Sequence, residues 1–148
     1  MRNLLIALVL SGFTAACSSS DGAPVLQNVL VYETPTCGCC EKWVTHMRDA
    51  GFTVEVRNMD DTSEERAKAG VPLELASCHT AVVDGYAVEG HVPADVVKRM
   101  LKERPEIRGV AVAGMPIGSP GMEQAGINQP YNVTAFDKSG SLSVYDRR

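Results

Sequence analysis

The sequence predicts an α/β domain with elements in the order β-α-β-α-β-β-α, followed by a loop rich in Gly, Pro and Met and a closing β-hairpin. Short β-branched runs alternate with stretches whose apolar residues recur at helical spacing. Asp84-Gly85 divides one strand pair as a two-residue hairpin turn. Once a leader is set aside, the 148-residue chain leaves one domain's length, enough to bury a core without staples.

Taken in order, Val29-Leu30-Val31-Tyr32 reads as a buried strand that Pro35 closes. Cys40, Trp43, Val44 and Met47 then share one helix face, and Gly51 stands where that helix ends. His46 lies on the same helix and reads as a packing residue. Phe52, Val54 and Val56 alternate with polar neighbours, so strand, helix and strand form a right-handed βαβ unit. Thr62 and Glu65 spell a capping box for a short helix reaching Gly70, with Glu64-Glu65-Arg66 as a solvated face. Ala81-Val82-Val83 and Tyr86-Ala87-Val88 flank the Asp-Gly turn. Pro93 opens a third helix that buries Val96, Val97, Met100 and Leu101, and Pro105 stops it. This order is that of the thioredoxin fold. Beyond it, Gly114 to Glu123 forms the Gly/Pro loop with Met115 and Met122 near its ends, and Asn132 to Phe136 pairs with Leu142 to Tyr145.

Residues 1–16 carry Arg2, an apolar run from Leu4 to Leu10 and the small residues Thr14-Ala15-Ala16, the layout of a secretory signal peptide. Cys17 occupies the position of a lipidated cysteine, and residues 17–28, beginning with a serine tract, read as a lipoprotein-type tether to the domain at 29–148. The expected location is the periplasm, with membrane attachment only through a lipid anchor. The formal charge of −4 becomes slightly more negative when the leader and its single Arg are removed, a poor match to nucleic acid. An even set of thiols, Cys37, Cys39, Cys40 and Cys78, remains for the folded body.

Three of those thiols fall within Thr36-Cys37-Gly38-Cys39-Cys40, at a strand-to-helix junction. There the helix N-terminus favours negative charge and lowers thiol pKa values. Thiolates both bind soft metals and attack disulfides, so the environment alone does not choose between those chemistries. Helical rotation of about 100° per residue splays Cys39 from Cys40, which suits a polynuclear, thiolate-bridged Cu(I) cluster better than one ion. Cys37 and Cys40 are also an ordinary C-x-x-C pair for thiol exchange, with Cys37 attacking and Cys40 resolving. Structural disulfides fit the crowded run poorly, and zinc fits it less well than copper. The spacing Gly85-x-x-Val88-x-Gly90 resembles the glutaredoxin branch of the thioredoxin fold, in which a cis-proline six residues before the hairpin Gly faces the active site; His79 holds that position here, so the resemblance implies that Cys78 and His79 stand opposite the trio, with the proline missing. His79 reads as a ligand, a supporting donor or a core residue. His91 reads as a ligand or an ordinary surface or capping residue, and Met115 and Met122 as thioether donors or a lid. Trp43 fills the core or shields the site.

The runs T-C-G-C-C at 36–40, Gly70-Val71-Pro72, S-C-H-T-A-V-V-D-G-Y at 77–86, E-G-H-V-P-A-D at 89–95 and G-M-P-I-G-S-P-G-M-E at 114–123 resemble the CopG-like family of bacterial exported domains associated with copper resistance. The resemblance extends from Val29 to Tyr145. It implies a thioredoxin-like fold and copper held by Cys37, Cys39, Cys40 and Cys78, with a redox role that would make the protein a copper oxidoreductase. The expected cargo is copper ions, and the expected partner a copper exporter or oxidase. The alternatives are a thiol-disulfide oxidoreductase using Cys37 and Cys40 and a non-enzymatic docking module.

Overall fold

The computed structural model describes residues 27–148; the expected signal peptide, Cys17 and nearly all of the tether lie outside the described residues. The chain forms β1 (Asn28–Glu33), α1 (Gly38–Asp49), β2 (Thr53–Asn58), α2 (Ser63–Ala69), β3 (His79–Val83), β4 (Tyr86–Glu89), α3 (Ala94–Glu103), β5 (Gly109–Ala111), β6 (Asn132–Phe136) and β7 (Leu142–Arg147). One 3-10 turn, Leu73–Leu75, links α2 to β3. All seven strands join one mixed sheet in the order β2-β1-β3-β4-β5-β6-β7.

β1 runs parallel to β2 and antiparallel to β3. The register of the second pair sets Glu33 opposite His79, so the chain leaves β1 toward α1 at the point where it enters β3. This places the residues after Glu33 next to those before His79. Asp84 and Gly85 both adopt left-handed backbone, at φ 47° and 84°, as the two-residue turn between β3 and β4 requires. The core joins Val29 and Val31 of β1 to Trp43, Val44 and Met47 of α1 and to Val96, Val97 and Met100 of α3, all buried.

Three local expectations are corrected. β5 was not anticipated: it is three residues long and wholly buried, too short to show a period. Gly109 within it has no room for a side chain, because a Cβ would sit 2.2 Å from the Ala87 carbonyl oxygen. The capping box at Thr62 does not form. Asp61 Oδ1 accepts the Ser63 N–H at 2.8 Å instead, and the Thr62 hydroxyl accepts from Arg66. Arg66 is therefore not on a solvated face; its guanidinium reaches inward to Glu89.

His46 packs as expected and also has a definite partner, its Nε2 accepting the Ala94 N–H at 3.0 Å, the first helical amide of α3. Burial holds its pKa below 6.5. The unfolded chain then takes up this proton first, so stability is full above about pH 6.5 and is lost as pH falls toward the lower folded value. Melting followed between about pH 7.5 and pH 5 should show a falling Tm, with a shallower fall in His46→Gln. An identical slope in that variant would remove His46 from the acid response.

Candidate metal centre

Cys37 caps α1, its carbonyl accepting the N–H groups of Cys40 and Glu41 at 3.1 and 3.2 Å. Cys37 and Cys40 are joined as a disulfide, with Cα atoms 5.3 Å apart. Among the described residues Cys39 and Cys78 have no disulfide partner. Cys39 Sγ lies 3.5 Å from Cys37 Sγ and 4.0 Å from Cys78 Sγ, and Cys40 Sγ lies 3.7 Å from the Cys78 carbonyl oxygen. All four sulfurs fall within 4.8 Å of one another. The fold thus brings the sulfur at 78 to the early trio.

Cys78 also belongs to a second group, with Nε2 of His91 at 3.0 Å and Nδ1 of His79 at 3.4 Å from its Sγ. Both imidazoles are fully buried, and their rings meet edge to face with centroids 5.1 Å apart. His91 is therefore neither a surface residue nor a cap. Its Nδ1 is 2.8 Å from the Pro120 carbonyl oxygen. A carbonyl only accepts, so Nδ1 carries the proton and Nε2 turns a lone pair toward Cys78. Metal-binding imidazoles are commonly held by such a bond from the far nitrogen. Nε2 of His79 is buried without a hydrogen-bond partner, and burial with His91 alongside pushes that ring down to about 3, so it is neutral. The ring nitrogen beside the Cys78 sulfur is Nδ1, so a metal held with Cys78 would take its lone pair from Nδ1 and leave the proton on Nε2.

Burial, and then the neighbouring Cys39, push the Cys78 thiol up to about 12. A cation that binds there must displace a proton, so binding at this sulfur strengthens as pH rises. Among the described residues the donors that converge are cysteine sulfurs and imidazoles, with no carboxylate. The softness of this set fits copper and disfavours the hard cations.

The Gly/Pro loop packs on the start of α1. Gly121, at φ +87°, lies so close to the first turn of α1 that a Cβ would stand 2.7 Å from the Cys39 carbonyl and 2.9 Å from the Trp43 nitrogen. Its N–H donates to the Glu123 carboxylate at 2.9 and 3.0 Å. Met122 is half-buried in the same turn, its N–H bonded to the Ser119 carbonyl at 2.8 Å, while Met115 is 51% exposed at the other end of the loop. Trp43 does both things the sequence allowed: it is fully buried, and its ring stands 4.5 Å from that of His79.

Sequence reasoning missed Pro120, whose backbone oxygen orients His91 and leaves no side-chain signature. It also missed Glu89, although an acid closing the apolar run Tyr86–Val88 is a legible anomaly.

Comparison with known proteins gives three results. A family model described as a protein of unknown function, DUF411, matches residues 75–122. No curated protein matches the chain. Two solved structures of a copper resistance protein copG are each 41% identical. Its form 2 superposes with a TM-score of 0.79 over 82% of this chain and 98% of that one, and form 1 with 0.77 over 82% and 96%.

Proposed function

We propose, from the premise that this chain belongs to the CopG family of copper resistance proteins, that it is an exported copper-handling protein of thioredoxin-like fold. It holds Cu(I) in a thiolate-bridged cluster. The observation that carries this reading is the meeting of two donor groups at Cys78, the four sulfurs of Cys37, Cys39, Cys40 and Cys78 on one side and Cys78 with His79 and His91 on the other. Cys39, Cys78, His79 and His91 supply donors while Cys37 and Cys40 are bonded. Reduction of that disulfide by two electrons adds two further thiolates. The balance also allows redox cycling of the metal: two Cu(II) ions take one electron each from the Cys37 and Cys40 thiolates, leaving two Cu(I) ions and the disulfide. The leader and Cys17 fit a periplasmic lipoprotein, and a copper exporter or oxidase fits as the partner that receives the metal.

Anaerobic titration of the reduced protein with Cu(I), counting ions per chain and following thiolate-to-copper absorption, tests the cluster. More than one ion per chain is expected, and one or none would reject it.

The Cys37–Cys40 disulfide itself favours a second reading, thiol-disulfide exchange, because Cys37 is partly exposed and Cys40 is fully buried, as an attacking and a resolving thiol would be. Insulin reduction by the metal-free protein tests it.

A further inference from the structure

The carboxylate of Glu89 is fully buried. Three donors converge on it: Arg66 Nε at 2.8 Å and the Ser77 backbone N–H at 2.7 Å on one oxygen, and the Thr80 hydroxyl at 2.6 Å on the other. Arg66 uses its remaining fork in the same place, with Nη2 donating to the Ser77 carbonyl at 2.8 Å and to the Thr62 hydroxyl at 3.1 Å. Both backbone groups of Ser77 are thus held, the N–H by the acid and the carbonyl by the base. The Ser77 hydroxyl donates to the Gly114 carbonyl at 2.5 Å. Gly90 presses on the same residue, since a Cβ there would lie 2.5 Å from Ser77 Oγ.

The Ser77 hydroxyl also lies 4.0 Å from the Cys78 sulfur, so the residue held here touches the donor atom as well as preceding it in the chain. Ser77 stands one peptide bond before Cys78, in a stretch that belongs to no helix or strand. Sheet hydrogen bonds therefore do not fix it, and the buried ion pair does so instead. A buried pair is a poor source of stability, because desolvation offsets most of its attraction, whereas it fixes geometry well.

We infer that Arg66 and Glu89 are positioning residues that clamp Ser77 and thereby hold the Cys78 sulfur between the early cysteines and His91. The clamp stands on geometry alone; its consequence for metal rests on the copper reading above. The planar guanidinium matters more than its charge, because one lysine nitrogen cannot donate from two fixed points to Glu89 and to the Ser77 carbonyl at once.

The test uses the reduced, copper-free protein and Arg66→Lys, with Leu101→Ala on α3 as a control for general loosening. Alkylation by iodoacetamide, located at Cys78 by mass spectrometry, should run several-fold faster in Arg66→Lys than in wild type or the control. Competition with a chromophoric Cu(I) chelator should show affinity lowered about tenfold or more. Glu89→Met fills a similar volume but removes the acceptor that holds Arg66 and the Ser77 N–H, and it is read in the same way if Arg66→Lys does not fold. A folded variant alkylated at the wild-type rate overturns the inference, and so does equal acceleration in Leu101→Ala. Faster alkylation in a protein whose wild type binds no Cu(I) would remove the copper reading and leave the clamp standing.

Discussion

Replacement of Cys78 by serine is expected to lower Cu(I) affinity by at least about 100-fold and to reduce the ions bound per chain. Changing a residue that merely orients a ligand costs 10- to 100-fold, and Cys78 is itself the donor common to both groups. Serine keeps the size but replaces a soft sulfur with a hard oxygen that binds Cu(I) weakly. It also separates the trio on α1 from the imidazoles, since Cys78 Sγ is the atom that lies 4.0 Å from Cys39 and 3.0 Å from His91. Cys39→Ser should show a smaller loss, because no imidazole contact depends on it. Chelator competition and copper counting on both variants check the order. Full stoichiometry in Cys78→Ser would place the metal elsewhere.

Trp43→Ala is expected to destabilise the fold by about 3–5 kcal/mol, the range for emptying a large aromatic site. The indole is fully buried, its Nε1 donates to the Val92 carbonyl at 2.8 Å, and its ring stands against His79. Removing it opens a void, strands a carbonyl and takes away the wall behind one imidazole. Trp43→Phe retains most of the packing and loses the donor, which should cost about 1–3 kcal/mol. Denaturant melts of the copper-free protein separate the two variants. Similar midpoints for alanine and phenylalanine would mean that the ring volume contributes little.

Legibility in the sequence followed the range of the interaction. The hairpin at Asp84-Gly85 was readable because two residues determine it, and α3 because Val96, Val97, Met100 and Leu101 repeat within ten residues. The approach of position 78 to the trio was readable through the resemblance to the glutaredoxin branch, in which the position six residues before the hairpin Gly faces the active site. Arg66 was misread because its neighbours Glu64 and Glu65 give a helix-surface pattern, while its real partner arrives 23 residues later. The burial of His91 was hidden for a similar reason, as it depends on a carbonyl 29 residues away. The pairing of Cys37 with Cys40 follows from redox state, which spacing permits but does not set.

The contact between Gly121 and the first turn of α1 bears on the order of events during synthesis. Ribosomes release the chain from its N-terminus, so positions 37–40 emerge some eighty residues before the segment that covers them. Until that late segment arrives, the start of α1 lacks this contact and His91 lacks its backbone anchor. If the chain holds copper as proposed, that retention belongs to the completed polypeptide, and a fragment ending before Pro120 should bind Cu(I) less tightly than the whole chain.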